Sequence, residues 1–282
     1  MLEKARTHPA GEDLLSPQAF SRLARLVHRH SRVRLGSEKR LLLANRLRPR
    51  LIQLRMASAD AYARHLESGA AREEVDILID LATTHYTHFF REPAHFEWLD
   101  SELLRSRRAE GRSYRVWSAA ASSGEEAWTL AMLLSGTEQR NASFTWHLDA
   151  SDISGRVLEH ARRAIYPENA LDAVPSNLRR AYFERGIGPR TGYCRVQASL
   201  RKRVCFTRGN LFDDHASFPS DVDVIFCRNV MIYFDEPSRA EAVRRLSAKL
   251  APGGHLVIGA SESLLGIEQG LKPVQPGIYR LP

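Results

Sequence analysis

The segment from Arg115 to Leu134, RVWSAAASSGEEAWTLAMLL, constrains the fold of this chain more than any other stretch. Its first residues are apolar and typical of a strand, its middle is a run of small residues around Gly124, and its last residues are typical of a helix. A strand, a small-residue loop and a helix in this order form the first turn of a nucleotide-binding α/β fold. Small side chains let a ligand approach the backbone closely, and the helix N-terminus offers free N–H groups.

Two carboxylates follow the glycine of this loop and limit which ligand it could bind. Glu125 and Glu126 fall in the first turn of the predicted helix, where the helix dipole stabilises negative charge. They would repel a pyrophosphate and attract a cation, so the pattern favours a positively charged ligand over a dinucleotide. S-adenosylmethionine, which carries an ammonium and a sulfonium group, fits this description. An ordinary strand-to-helix turn explains this segment equally well.

Positive charge is concentrated near the N-terminus of the chain. The net charge is +8 over 282 residues, whereas residues 17–72 contain 13 Lys and Arg against 3 Asp and Glu, a local excess of +10. The local excess is larger than the charge of the whole chain, so the remainder is close to neutral. This pattern favours an acidic partner surface, with a solvated basic face that has no partner as the alternative.

Cysteine usage and hydrophobicity indicate where the protein works. The three cysteines, Cys194, Cys205 and Cys227, form no CxxC pair and no ligand cluster with histidines. A reducing compartment and no metal are the expectation. Since no apolar stretch approaches the length of a membrane span and the first residues lack the apolar core of a secretory signal, we expect a cytoplasmic protein with no direct membrane insertion.

The hydrophobic pattern divides the chain into a helical module and an α/β module. A tail over residues 1–15 is expected to be mobile, and apolar residues at helical spacing predict four short helices in a basic domain over residues 16–82. Pro49 falls inside the second helix, which it should kink or split. Residues 83–112 are expected to form a linker and a connecting helix that ends in an exposed charged run.

Strands and helices alternate over residues 113–282, which predicts a doubly wound, mostly parallel α/β sheet. An insertion at about residues 166–203 interrupts the alternation, and its glycines and alternating residues predict a small antiparallel hairpin. Such a sheet binds its ligand beyond the C-terminal ends of its strands. The strands are predicted over residues 114–120, 145–152, 204–210, 223–229, 255–261 and 274–281.

Polar side chains end several of these strands. Asp152 ends the second strand, where an acidic residue accepts hydrogen bonds from ribose hydroxyls, although a helix N-cap is the simpler explanation. Asn210 ends the next strand, and Arg228 with Asn229 ends the one after it. Tyr233 could hydrogen-bond a reacting oxygen or could be an aromatic core residue.

The junction between the modules places Arg91 beside Glu92. A guanidinium there could orient a carboxylate through two hydrogen bonds, or could pair with Glu92. His85 and His88 lie in the same stretch with no third partner for a metal, which favours a structural role for both.

Taken together, these stretches resemble the CheR family of chemotaxis receptor methyltransferases. The resemblance implies a class I S-adenosylmethionine-dependent methyltransferase fold with a small all-helical N-terminal domain, a small antiparallel β insertion, and S-adenosylmethionine without a metal as cofactor. The matching segments are NRL at residues 45–47, TTHYTHFFRE at 83–92, VWSAAASSGEE at 116–126, ASDI at 150–153, GNL at 209–211, FCRNVMIYFD at 226–235 and LAPGG at 250–254.

The resemblance also implies a reaction and its residues. The enzyme would move a methyl group to glutamate carboxylates of a chemoreceptor's cytoplasmic helical domain, giving methyl esters, with Arg91 and Tyr233 nearest the reacting methyl. The insertion would grip a receptor tail peptide, as it does in some members. The implied cofactor contacts are His85, Thr87, Arg91, Glu125 or Glu126, Asp152, Asn210, Leu211, Arg228 and Asn229, and the implied docking residues are Lys39, Arg46 and Arg50.

Three positions depart from the family pattern. His85 stands where asparagine is common, Ala127 and Trp128 replace proline and tyrosine, and Pro49 interrupts the basic helix. The acceptor glutamate, with a reference pKa of about 4.3, is ionised at neutral pH. Because no strong base is needed, we expect Arg91 and Tyr233 to orient the acceptor and not to deprotonate it.

Two alternative functions compete with methyl transfer to chemoreceptor glutamates. The basic module would suit a nucleic-acid methyltransferase, but residues 229–233 lack the prolines of a loop that reads a flipped base, so we expect no nucleic-acid partner. A cofactor-binding adaptor without turnover is the other alternative, and the complete set of candidate site residues argues against it.

Overall fold

The computed structural model describes residues 15–69, 72–105, 112–267 and 270–282. The chain forms two compact units, of which the first comprises Met1–Thr84 with Tyr233–Asp235 and the second His85–Ile232 with Glu236–Pro282. Most of the predicted mobile tail and of the predicted charged run before residue 112 lies outside the described residues. Leu15, assigned to that tail, is fully buried.

Four α-helices form the described part of the first unit, as the hydrophobic pattern predicts. Leu23, Leu47, Tyr62 and Leu78 are fully buried in its core. Serine residues cap the N-termini of two of the helices. The Ser16 hydroxyl accepts a hydrogen bond from Ala19 N before α1, and the Ser58 hydroxyl accepts one from Ala61 N before α3. The helices are α1 (Pro17–Ser31), α2 (Arg40–Gln53), α3 (Ala59–Glu67) and α4 (Arg72–Ala82).

Pro49 does not split α2, which runs unbroken from Arg40 to Gln53. The proline is exposed, whereas Leu47 and Leu51 beside it are buried. Proline removes the hydrogen bond to the carbonyl four residues earlier, but packing of an apolar helix face can outweigh that loss. The predicted split is therefore wrong, because tertiary packing holds the helix together, whereas the predicted kink stays a prediction.

The second unit begins with a helix and then alternates strands and helices. Up to β8 the predicted alternation is present, which confirms the doubly wound α/β fold. In chain order they are α5 (Pro93–Arg105), β1 (Tyr114–Ser118), α6 (Glu125–Arg140), β2 (Trp146–Asp152), α7 (Gly155–Arg163), β3 (Ile165–Pro167), α8 (Ser176–Tyr182), β4 (Phe183–Arg185), β5 (Tyr193–Val196), α9 (Ala198–Arg201), β6 (Val204–Arg208), β7 (Val222–Phe226), α10 (Glu236–Ser247), β8 (Leu250–Val257), β9 (Lys272–Gln275) and β10 (Ile278–Arg280).

The main sheet has the strand order β6-β2-β1-β7-β8-β10-β9. Strands β6, β2, β1, β7 and β8 are parallel, while β10 is antiparallel to both β8 and β9. The chain moves from β1 outward to β6 on one side and from β7 outward on the other, so the order reverses between β1 and β7. Ligands of open α/β sheets bind at such a reversal, beyond the C-terminal ends of the strands.

The end of the chain differs from the prediction, because residues 274–281 do not form one strand. Two strands, β9 and β10, meet at a turn in which Gly277 has a φ of +76°. A Cβ on Gly277 would lie 2.8 Å from His95 Nε2 and 2.9 Å from Ile258 O, so the turn requires glycine. The pair Pro276-Gly277 is a turn signal that the prediction of one strand overlooked.

The insertion forms a second, antiparallel sheet with the order β3-β5-β4. Its antiparallel character is confirmed, and a third strand extends the predicted hairpin. Tyr166 of β3 is buried and donates a hydrogen bond to Ser123 O at 2.7 Å, so the insertion supports the loop after β1. No helix among the described residues is long and apolar enough to cross a membrane.

Candidate active site

The loop after β1 turns sharply before α6. Gly124 has a φ of +98°, and a Cβ there would lie 2.7 Å from Ala161 Cβ of α7. Only glycine combines this conformation with so close an approach. The turn makes Glu125 and Glu126 the first two residues of α6, where the helix dipole favours negative charge.

These two carboxylates have different surroundings. Glu126 accepts hydrogen bonds from Ser118 Oγ at 2.7 Å and from Arg228 Nη1 at 3.2 Å, so both of its oxygens have protein partners. Glu125 accepts from Ser123 Oγ at 2.7 Å through one oxygen. Burial raises the pKa of both groups, against the opposing effect of Arg228 on Glu126. Glu125 is therefore the better placed of the two to receive an external cation.

Asp152, at the end of β2, connects the first two loops of the sheet. Its Oδ2 accepts a hydrogen bond from Ser122 N and its Oδ1 accepts one from Ser154 N, both at 2.9 Å. The N-cap of α7 is Ser154, whose hydroxyl accepts from Val157 N, so the simpler explanation of Asp152 is wrong. Asp152 therefore ties the loop after β1 to the loop after β2, and its contact with a ribose stays a prediction.

The connection from β6 to β7 carries the next two predicted contacts. Asn210 Oδ1 accepts a hydrogen bond from Phe212 N at 3.0 Å. Leu211 is partly buried and lines, with Trp117 and Phe218, a cavity of about 240 Å³ beside α10.

A buried ion-pair network joins the FFRE segment at residues 89–92 to the end of β7. The Arg228 side chain is 2% exposed and lies between two carboxylates, at 3.0 Å from Glu92 Oε2 and 3.2 Å from Glu126 Oε2. Glu92 Oε1 also accepts from Asn229 Nδ2, and its Oε2 accepts from Ala260 N, both at 3.0 Å. Burial alone would raise the pKa of Glu92, but the hydrogen bonds from Asn229 and Arg228 outweigh it and lower the pKa to about 2.

Several residues around this network have left-handed backbone conformations. Phe90, Glu92, Ser122 and Asn229 have φ values of +53°, +58°, +49° and +57°. Non-glycine residues rarely adopt the left-handed region, because this conformation is higher in free energy for a residue with a Cβ. Such strain persists where surrounding contacts fix the backbone, as the hydrogen bonds of Glu92 and Asn229 do here.

Glu262 is part of the site although sequence reasoning missed it. Its Oε2 accepts hydrogen bonds from Asn229 N at 2.9 Å and Gly259 N at 2.6 Å, and its Oε1 accepts from Ile232 N at 3.2 Å. One carboxylate thus joins the loops after β7 and β8. The available signal was its position just after a predicted strand, at the same edge as Asp152 and Asn210.

Arg91 does not pair with Glu92 in the described part of the chain. Its Nη1 donates to Tyr86 O at 2.8 Å, and its guanidinium carbon lies 5.6 Å from the centre of the Tyr86 ring. Thr87, in the same segment, is partly buried. His85 contributes its backbone carbonyl, which accepts from Ser122 Oγ at 3.2 Å and so joins this segment to the first loop.

Tyr233 belongs to the first unit. Its carbonyl accepts a hydrogen bond from Arg34 N at 2.8 Å, and Lys39 Nζ lies 4.5 Å from the centre of its ring. The predicted pairing of Tyr233 with Arg91 stays a prediction.

The predicted docking residues are partly engaged within the first unit. Arg50 forms an ion pair with Glu74, which is buried and also accepts from Tyr62 Oη at 2.8 Å. Arg46 Nη1 donates to Leu81 O at 3.1 Å and Thr83 O at 2.6 Å. The exposed face of α2 carries other residues, namely Leu41, Asn45, Arg48 and Ile52.

Among the residues that the structure describes, no three His, Cys, Asp or Glu side chains form a cluster that could hold a metal ion. The three cysteines are free, with Cys205 exposed and the other two buried.

Comparison with known proteins identifies relatives of both units. Residues 85–278 match the family described as CheR methyltransferase, SAM binding domain, and residues 18–83 match CheR methyltransferase, all-alpha domain. The chemotaxis protein methyltransferase of Escherichia coli K12 is 41% identical over 90% of this chain and 87% of its own length. Chemotaxis protein methyltransferase 2 of Pseudomonas aeruginosa is 36% identical over 92% of this chain and 91% of that protein.

Solved structures match more remotely. A TehB-like S-adenosylmethionine-dependent methyltransferase from Corynebacterium glutamicum is 13% identical over 67% of this chain and 94% of that chain, with a TM-score of 0.37.

Proposed function

Because the chain belongs to the CheR methyltransferase family and is an S-adenosylmethionine-dependent methyltransferase, we propose that Arg91, Tyr233 and the residues at the C-terminal edge of its sheet carry out methyl esterification of chemoreceptor glutamates. The observation that carries this proposal is the buried carboxylate of Glu125 at the start of α6, which accepts from Ser123 Oγ and forms no ion pair with a cation among the described residues. A site of this kind suits a ligand that is itself positively charged.

The donor set fits S-adenosylmethionine. Glu125 supports its cationic amino-acid end, Asp152 accepts from its ribose, and Asn210 with Leu211 borders its base. Arg228 acts through Asn229 and the Glu92 network, because its guanidinium is buried between two carboxylates. His85 contacts the loop after β1 through its backbone carbonyl, and Thr87, two residues later, is the other cofactor contact in this segment that the resemblance implies. When bound, the cofactor supplies a methyl group whose bond to sulfur breaks as a bond to a glutamate oxygen forms.

The chain's own residues then have to align the acceptor. Arg91 keeps guanidinium donors beyond the one that bonds to Tyr86 O, and these can hold the acceptor carboxylate through charge-assisted hydrogen bonds. The Tyr233 hydroxyl donates a further hydrogen bond to it. Neither residue removes a proton, since the carboxylate is ionised before it arrives. The rate of methyl transfer is raised because the acceptor carboxylate and the methyl group are aligned in a partly desolvated site.

The receptor would bind through the basic first unit. Lys39, Arg46 and Arg50 are the docking residues that the family resemblance proposes, and Arg48 on the exposed face of α2 adds a cation beside the exposed Ile52. The acceptor is the cytoplasmic helical domain of a chemoreceptor, which places the reaction in the cytoplasm. The three-stranded insertion would hold a receptor tail peptide.

The deciding experiment is transfer of labelled methyl from S-adenosylmethionine to a purified chemoreceptor cytoplasmic fragment, followed by mild alkali. Release of the label as methanol is expected, because carboxyl methyl esters hydrolyse under these conditions. Parallel reactions with duplex DNA and structured RNA should incorporate no label. Cofactor binding without alkali-labile label on several receptors, or label on nucleic acid, would contradict the proposal.

A variant pair tests the orienting role of Tyr233 in the same assay. Tyr233→Phe should lower kcat at saturating receptor and cofactor, because the hydroxyl is lost while the ring remains. Tyr279→Phe, at a tyrosine in β10, is the control and should retain the wild-type rate. Unchanged turnover of Tyr233→Phe would show that the hydroxyl plays no part.

A further inference from the structure

The segment Tyr233–Asp235 is part of the helical unit although it lies in sequence between β7 and α10 of the methyltransferase unit. The chain leaves the second unit after Ile232 and returns to it at Glu236. The three residues in between include the tyrosine proposed to orient the acceptor. The contacts that the helical unit makes with them therefore bear on the proposed reaction.

Main-chain contacts fix the first two of these residues. Val33 and Phe234 form an isolated antiparallel bridge, and Arg34 N donates to Tyr233 O at 2.8 Å. Val33 and Phe234 are 7% and 6% exposed. Hydrogen bonds shielded from water in this way hold a backbone more firmly than exposed ones. The backbone of Tyr233 is thus held by the turn that follows α1.

Side-chain contacts fix the ring of Tyr233 and the residue that ends the segment. Lys39 Nζ lies 4.5 Å from the centre of the Tyr233 ring, within the range of a cation–π interaction. His28 Nε2, on α1, lies 3.0 Å from Asp235 Oδ2. Both pairs are only partly exposed, with His28 and Asp235 at 37% and 27%. Three consecutive residues are thus each held by a different contact from the helical unit.

We propose that the helical unit positions the active-site tyrosine, with His28 and Lys39 as positioning residues that act through Asp235 and the Tyr233 ring. This inference rests on the proposed function, because it assumes that Tyr233 orients the acceptor. A displacement of about 1 Å in an orienting group can lower a rate by roughly a hundredfold. The helical unit then contributes to the chemical step in addition to binding a partner.

The His28–Asp235 contact is tested by epistasis with Tyr233. Rates of methyl transfer at saturating cofactor and receptor are measured for His28→Gln, Asp235→Asn, the double variant, and each in a Tyr233→Phe background. Each single variant should lower kcat at least fivefold, the double variant should match the singles, and neither change should lower kcat further once the hydroxyl is absent. Affinity for S-adenosylmethionine, measured by calorimetry, should stay within twofold.

The matched control is His30→Gln, which makes the same substitution at an exposed histidine two residues further along the same helix and should leave kcat within twofold. An equal loss for His28→Gln in the wild-type and Tyr233→Phe backgrounds would overturn the inference, because a structural role alone would explain it. Unchanged kcat in both single variants would overturn it as well.

Lys39 is tested by separating kcat from KM, since the residue is also a proposed docking contact. Lys39→Met removes the cation but keeps the stem, and it should lower kcat at saturating receptor by at least threefold, whereas Lys39→Arg should restore it. A change confined to KM for the receptor would assign Lys39 to docking alone and remove it from the inference. If wild-type protein forms methyl esters but Tyr233→Phe retains full turnover, the positioning inference fails while the methyltransferase function stands.

Discussion

At the scale of single residues, the site depends on which charged groups are paired inside the protein. Glu92 is not the partner of its neighbour Arg91 but the acceptor for Arg228, Asn229 and Ala260 N. Arg228 in turn is enclosed by Glu92 and Glu126. Removal of one member of such a network leaves the others buried without compensation, which is costly.

We expect Glu92→Gln to destabilise the second unit by about 3 kcal/mol at pH 7, because Arg228 loses a buried carboxylate partner. The folded-state pKa of Glu92, at about 2, is lower than its unfolded value, so its stabilisation is complete above the unfolded pKa of about 4.5 and is lost as the pH falls toward 2. Urea unfolding from pH 7 to pH 3 should therefore show a shrinking difference between variant and wild type.

The control is Glu97→Gln, at an exposed position of α5, which should change stability by less than about 0.5 kcal/mol at any of these pH values. A Glu92→Gln difference that is constant with pH would contradict the assigned ion pair.

Gly259 offers a second residue-scale test, because it lies against two site residues. A Cβ on Gly259 would come within 2.5 Å of Asn229 Nδ2 and 2.9 Å of Glu262 Oε2. Gly259→Ala should displace Asn229 and weaken S-adenosylmethionine binding by roughly tenfold, equivalent to about 1.4 kcal/mol. The comparison is Gly136→Ala in α6, where the nearest atom lies at 3.8 Å, and which should leave affinity unchanged. Equal affinities in the two variants would remove Asn229 from the cofactor site.

At the scale of elements, α2 shows how packing overrides a local signal. Pro49 lacks the N–H that would bond to the Asn45 carbonyl, yet the helix continues to Gln53 because its buried leucines pack inside the first unit. The central strands of the second unit lie close to their predicted positions, since most residues of β1, β2 and β7 are buried. The turn at Gly277 was missed although Pro276-Gly277 is a turn signal within the predicted strand.

We expect Pro49→Ala to stabilise the first unit by about 2 kcal/mol, because alanine restores the missing hydrogen bond at an exposed helical position. Thermal unfolding followed by circular dichroism should show a higher midpoint. Arg48→Ala, one residue earlier and also exposed, should shift the midpoint little. A lower midpoint for Pro49→Ala would mean that the ring itself makes a stabilising contact.

At the scale of the whole molecule, positive charge is divided unequally between the two units. Residues 17–72 hold 13 basic against 3 acidic side chains, but Arg22 and Arg50 are already paired with Glu67 and Glu74. The cationic surface offered to a receptor is therefore smaller than the count suggests. The exposed arginines of α1 and α2, such as Arg25, Arg29 and Arg48, make up the part that an acidic partner can reach.

This division predicts different salt dependences for the two substrates. KM for the receptor fragment should rise severalfold between 50 and 300 mM salt, because exposed charges are screened over about 10 Å at 0.1 M. KM for S-adenosylmethionine should change little, because Glu125 is buried. Steady-state assays with each substrate varied in turn provide the measurement, and a parallel rise in both constants would contradict the division.

The sequence determined the alternation of strands and helices, the helical N-terminal module, and the carboxylates in the first turn of α6. These features depend on periodicity and on near neighbours, which are present in the chain itself. The tertiary structure alone decided that Glu92 pairs with Arg228, that Glu262 holds Asn229 and Ile232, and that Tyr233 joins the helical unit. Those pairings join residues that lie far apart in sequence, and they form because burial makes an unpaired charge or N–H costly wherever the chain happens to return.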